Sequence, residues 1–428
     1  MTKHRLAAEP LDIISLLLRS VSNQKLIFAL HFDSNIDLAR LHLAVTRLQT
    51  RLPIIGYRLQ TTTAWPIWQR ASSADATTNI HFLDISNRNR EIIGLISNIA
   101  HTSRNTLDIL VFRKGSEDSV YICVDHTLAD AAGTRELAYL LAQFYAWPGH
   151  HTSTPTATNM TSQRGLAKIR QRHSFKQRAS AMLRFRATKG HWKFPISDAI
   201  ANAKPTYQLR RLGSIYFPKL RELCSLYGVT INDLLVSALF CSLCEIHNVG
   251  KGSTLPMQFT VDLRRYLPQG RPAQVANLSG SEHVWLKPRS DHDFIGSLLT
   301  THQALRNIKQ RTPGLGSALL IEKLFHCSYR GTSALLLKSI KDSVNSRKGN
   351  PLLTNFGRIN ATRLNFHTAR VKDACLIGPS QLTPGLTMSA STFRNNLTLS
   401  VGYQPGNMGH QYVSKVLGRM TDFLSGQH

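Results

Sequence analysis

Acidic residues are scarce in this chain. Asp and Glu number 25 against 52 Lys and Arg over 428 residues, a formal charge of +27. A surplus of that size attracts polyanions such as nucleic acid, anionic lipid, phosphorylated coenzymes or acidic proteins, and by itself does not choose among them. Between His151 and Ser197 there is no acid at all, while Arg164, Lys168, Arg170, Arg172, Lys176, Arg178, Arg184, Arg186, Lys189 and Lys193 crowd together. That stretch reads either as a solvated basic connector or as a docking surface for an acidic partner. Its cations are not interleaved with aromatics in an RNA-binding motif, which ranks a charge-driven binder of nucleic acid or membrane surface low.

Cysteine is scarce too. Six in so long a chain exclude a disulfide framework. Cys241 and Cys244 form a C-x-x-C, but no second such pair and no histidine pair completes a zinc set. Inside "INDLLVSALFCSLCEIH" they read as small core residues on one helix, so no metal is expected. Long apolar runs are also missing. Ile13 to Leu18 is far too short for a membrane span, and it follows Glu9 and Asp12 rather than a basic leader with a cleavage site. The expectation is a monomeric, cytoplasmic protein.

What remains is a chain long enough for two cores. Lys25 to Phe32 alternates like a strand. A helix capped by Asn35 or Asp37 follows, with Leu38, Leu41, Val45 and Leu48 on one face and Pro53 closing it. A strand is expected over 54–59, a loop around Trp65 and Trp68 that serves packing, and a helix over 90–101. Leu107 to Arg113 and Ser119 to Asp125 form a hairpin through "KGSED". Next comes a helix whose stripe is Leu137, Leu140, Leu141, Phe144 and Tyr145, with Asp130 at its N-cap. The Thr-rich segment 151–163 and the basic stretch divide the chain into 1–163, a connector over 164–197, and 198–428. The second part is read as a strand over 213–218, a helix over 219–226 and a helix capped by Thr230 with Asp233 three residues later. A strand in "LPMQFTVDLRRYLP", a hairpin turning on residues 394–396 and a final helix over 411–424 complete it. Two similar α/β layers result.

The chemistry gathers at "VDHTLADAAG". A buried strand stops at Asp125-His126 and a packed helix begins a few residues on, which holds His126 at a corner. A lone His-x-x-x-Asp is weak in a chain with 18 histidines. Its context makes it resemble the H-H-x-x-x-D-G signature of the chloramphenicol acetyltransferase-like acyltransferases, which include the condensation domains of nonribosomal peptide synthetases. "NIDLARLHLAVTRLQTRLPIIGYRL", "YGVTINDLLVSAL", "VDLRRYLP…ANLSG" and "TNFGRI" are similar to further segments of those proteins, in the same order. Asp125 stands where many members carry a first histidine. Ala131 replaces the family glycine, keeping its N–H and adding a Cβ.

The resemblance implies an α/β fold of two similar subdomains in a V-shaped pseudo-dimer with a central tunnel. It implies His126 as general base and Asp130 as a structural partner of Arg264. Ala131, Ala132, Gly133, Asn355 and Gly357 become candidates to line the tunnel or serve the oxyanion. The implied reaction moves an acyl group from a coenzyme A or 4'-phosphopantetheine carrier-protein thioester to an alcohol or amine, in specialised metabolism. No permanently bound cofactor is implied. An imidazole titrates near neutrality, which suits it to take the acceptor's proton. Ala131 leaves open the alternative of a non-catalytic relative that binds a carrier protein.

Overall fold

The computed structural model describes residues 5–61, 64–71, 78–85, 92–147, 164–185, 188–195, 204–250, 252–268, 274–289, 293–382, 385–406 and 408–426. The Thr-rich segment 151–163 and Arg186 lie outside them. Two sheets organise the chain. The first runs, in spatial order, Asn365–Phe366, Ala369–Ile377, Lys25–Phe32, Glu117–Asp125, Leu107–Lys114 and Thr78–Asp84. The second runs Ser279–Leu286, Leu255–Asp262, Leu352–Ile359, Thr387–Phe393, Asn396–Tyr403 and Ser380–Gln381, with Thr206–Leu212 also paired to Asn396–Tyr403.

The strand period of two explains how the first sheet is buried on both faces. Leu26, Phe28, Leu30 and Phe32 point into the core shared with helices Leu38–Arg51 and Ala131–Ala146. Ile27 and Ala29 point the other way, into a smaller cluster beneath helix Ile92–Thr102. The Leu38–Arg51 helix starts where Asp37 accepts the Arg40 amide, and it buries Leu41, Ala44, Val45 and Leu48. Burying each such side chain stabilises the fold by about 1.5–3 kcal/mol before entropy is counted. The second core lies around helices Ile231–Ile246, Phe294–Lys309 and His410–Ser425. Thr230 and Asp233 form a reciprocal capping box at the start of Ile231–Ile246.

Sheet membership does not follow chain order. Ala369–Ile377, from far down the sequence, pairs antiparallel with Lys25–Phe32 and so joins the first sheet. The halves are tied at other places as well. Arg363 pairs with Glu136 at 2.8 Å, and the Asn360 amide donates to the Tyr139 hydroxyl at 2.7 Å. The basic connector supplies helices Ala167–Gln171 and Phe175–Arg184, the second packed against Leu315–Cys327.

Two expected strands differ. Residues 54–59 begin as a 3-10 turn, Pro53–Gly56, and extend only from Tyr57, because Pro53 at the first position favours a turn start. Residues 213–218 are not a strand. The strand is Thr206–Leu212, and Tyr216–Tyr227 is helical with Pro218 tolerated in its first turn. No single helix among the described residues is long and apolar enough to cross a membrane.

Candidate active site

The corner at His126 is built by the residue before it. Glu117–Asp125 lies centrally in the first sheet and ends where the Asp125 carboxylate accepts the Thr127 amide at 3.0 Å and its hydroxyl at 2.5 Å. That local bond turns the chain out of the strand. Arg19 grips the same carboxylate through two 2.9 Å bonds, and the fully buried Lys25 ammonium lies 3.6 Å away. Burial pushes the Asp125 carboxyl up, but Lys25, Arg19 and the Thr127 bonds outweigh it and hold it below the usual carboxylate range. The His126 amide then donates to the Gln24 carbonyl at 2.8 Å, which anchors the turn to the neighbouring strand entry.

The His126 ring is half-buried at the junction of the two halves. Its Nδ1 lies 3.3 Å from Ser15 Oγ and 3.3 Å from Asn277 Oδ1. Nε2 has no protein hydrogen-bond partner among the described residues. Behind Asn277 is a buried ion pair that the sequence did not announce. Asp12 receives Arg164 Nη2 at 2.9 Å, Asn277 Nδ2 at 2.9 Å and Trp68 Nε1 at 3.1 Å. Arg164 also donates to the carbonyls of Thr127, Leu128 and Val275. Arg164, read from the sequence as one cation of a basic connector or docking surface, is thus a buried clamp under the turn.

Asp130 caps helix Ala131–Ala146, its Oδ1 accepting the Gly133 amide at 2.8 Å. Its Oδ2 accepts the Leu278 amide at 2.7 Å, Arg264 Nη1 at 3.0 Å and the Ser279 hydroxyl at 3.1 Å. Arg264 reaches back to the carbonyls of Gln274 and Ala276. Burial pushes the Asp130 carboxyl up, yet the Arg264 charge and the bonds around it hold it below the usual carboxylate range. None of these four bonds goes to the His126 ring, and together they fasten loop 274–279 to the helix start.

No protein-family model matches the chain, and no curated protein does. Solved structures match it over nearly its whole length. The trichothecene 15-O-acetyltransferase TRI3 from Fusarium sporotrichioides superposes with a TM-score of 0.74 at 13% identity, covering 98% of this chain and 94% of that one. The first condensation domain of the CDA synthetase gives 0.68 at 15% identity, covering 99% and 96%. Polyketide synthase associated protein 5 from Mycobacterium tuberculosis gives 0.66 at 12% identity, covering 98% and 97%. The chain has the chloramphenicol acetyltransferase-like fold.

Within that fold its two sheet-centred halves make the V, and His126 from one half meets Asn277 from the other. Ala131 and Ala132 open the helix after the corner, and their amides are not taken by the Asp130 carboxylate, whose bonds go elsewhere. These two amides sit at the positive end of the helix, suited to developing negative charge. Gly133 follows them in the same helix. It is buried with its amide held by Asp130, and an added Cβ would stand 3.0 Å from the Ala276 carbonyl. It serves close packing. Asn355 and Gly357 form a bulge in Leu352–Ile359, where Asn355 Oδ1 accepts the Gly357 amide and Gly357 takes a φ of 72°. Arg135 holds that bulge through the Phe356 carbonyl at 2.7 Å. Neither residue bonds to His126 among the described residues. The sequence missed Asp12 and Ser15, three residues apart on the face of helix Pro10–Leu17 that meets His126.

Proposed function

We propose that this chain is a thioester-dependent acyltransferase of the condensation type. It moves an acyl group from a coenzyme A or carrier-protein thioester to an alcohol or amine, with His126 as general base. The observation that carries this reading is the half-exposed imidazole at the seam of the two halves, held through Nδ1 and leaving Nε2 without a hydrogen-bond partner among the described residues. The Nε2 lone pair takes the proton of the acceptor O–H or N–H as that oxygen or nitrogen attacks the thioester carbonyl. The tetrahedral oxyanion forms near donors such as the Ala131 and Ala132 amides. When it collapses, the C–S bond breaks and the thiolate leaves with the proton from the imidazolium. The products are an ester or amide and a free thiol, so atoms balance without a covalent enzyme intermediate.

The positive charge suits both donors, since a coenzyme A phosphate and an acidic carrier surface each favour a cationic approach. Incubating the protein with a panel of acyl-coenzyme A and acyl-carrier thioesters and candidate alcohols and amines tests the reading by intact mass. Acylated acceptor together with stoichiometric free thiol is expected. Tight carrier binding with no transfer to any acceptor would favour a non-catalytic binding protein instead.

A further inference from the structure

The Asn277 carboxamide is locked in one orientation. Its Nδ2 faces three oxygens that have no hydrogen to give: the carbonyls of His126 at 2.8 Å and Thr127 at 3.0 Å, and Asp12 Oδ1 at 2.9 Å. Exchanging the amide nitrogen and oxygen would aim an acceptor at three acceptors, so hydrogen bonding alone fixes the assignment. The atom facing His126 Nδ1, at 3.3 Å, is therefore the amide oxygen. An amide oxygen accepts and never donates. A neutral imidazole that satisfies it carries its proton on Nδ1. Ser15 agrees with this arrangement, because its hydroxyl has the Leu11 carbonyl at 3.4 Å to donate to, leaving a lone pair towards Nδ1.

We propose that Asn277 is a positioning residue that fixes His126 in the Nδ1–H tautomer and so presents a bare Nε2 as the base. The charge that orients Asn277 stands one step behind it. Asp12 receives the Asn277 N–H, and Arg164 neutralises Asp12 while bonding the carbonyls of the turn itself. Three separate stretches of chain, around residues 12, 164 and 277, converge on the turn that carries His126. The carboxylate acts through a neutral amide, which sets the tautomer without placing a second negative charge beside the developing oxyanion. The inference rests on His126 being the base, yet the tautomer can be observed without any turnover.

Long-range proton–nitrogen NMR on histidine-labelled protein, with His126 identified by the signals lost in His126→Ala, reads the tautomer directly. With the ring neutral, wild type should show Nδ1 protonated and Nε2 bare. Asn277→Ala should mix the tautomers and lower kcat roughly tenfold with KM little changed, the factor that one hydrogen bond of ordinary net strength exerts. A wild-type spectrum with Nε2 protonated overturns the inference whatever the turnover, and it decides the matter even if Asn277→Ala fails to fold. A folded Asn277→Ala protein with the wild-type tautomer and kcat overturns it too. If wild type shows the Nδ1–H form but acylates nothing, the tautomer assignment stands and the acyltransferase reading falls.

Discussion

Changing Asp130 to asparagine preserves shape but sets donors against donors. One side-chain oxygen can still accept the Gly133 amide, keeping the N-cap. The new NH2 group then faces the Leu278 amide, the Ser279 hydroxyl and Arg264 Nη1, which all donate, at 2.7–3.1 Å. Arg264 would be left largely buried, its remaining partners being Asp262 and two carbonyls. Breaking a buried pair from one side costs about 3–5 kcal/mol. If the affected half unfolds as one unit of about 200 residues, a fall in Tm of roughly 6–20 °C follows. Calorimetry and soluble yield measure it. Adding Arg264→Met should cost less than the sum of the single changes, because the charge left unpaired is gone. An Asp130→Asn protein with unchanged Tm and no activity would refute the reasoning and place Asp130 on the reacting atoms. The sign with pH is fixed as well. The Asp130 carboxyl is held low in the fold, so its stabilisation is present above the ordinary carboxylate range and is lost as pH falls through the lowered value.

Two other substitutions probe the same region. Burial, with help from Asp12 and Glu322, pushes Glu9 up from 4.5 to about 7 against the pull of Arg164 and Arg170. The folded chain then keeps a proton that the unfolded chain has released between those values, so stability falls as pH rises through that window. Glu9→Gln should leave Tm unchanged at about pH 4 and raise it at about pH 8; equal curves at both would contradict this. Gly133→Ala would put a Cβ 2.9 Å from the Ala129 Cβ and 3.0 Å from the Ala276 oxygen. A loss of about 1–3 kcal/mol is expected by denaturant titration. A neutral outcome would show that the helix start can shift away from loop 274–279.

Local patterns carried much of the fold into the sequence. The alternation in Lys25–Phe32, the Thr230 and Asp233 cap and the apolar stripe after Asp130 each follow from a short-range period or a cap, and the elements they mark are there. The corner at His126 was legible for the same reason. Pairings across distant sequence were not. Nothing near Ala369–Ile377 says that its partner is Lys25–Phe32, because a strand's hydrogen bonds carry no address. Arg164 shows the limit most plainly. In a run of cations it is indistinguishable from its exposed neighbours, and its burial is set by Asp12, which lies 152 positions earlier. Asn277 stands inside the segment "ANLSG", but only the three oxygens around its amide reveal which way it points.

The central claim is that the His126 imidazole removes a proton during acyl transfer. Single-turnover transfer from a defined acyl thioester, compared between wild type and a His126→Ala protein of matching Tm, tests it most directly. A fall of about 10²–10⁴-fold in the rate of transfer is expected, with donor binding retained. Equal rates in the two folded proteins would contradict the account.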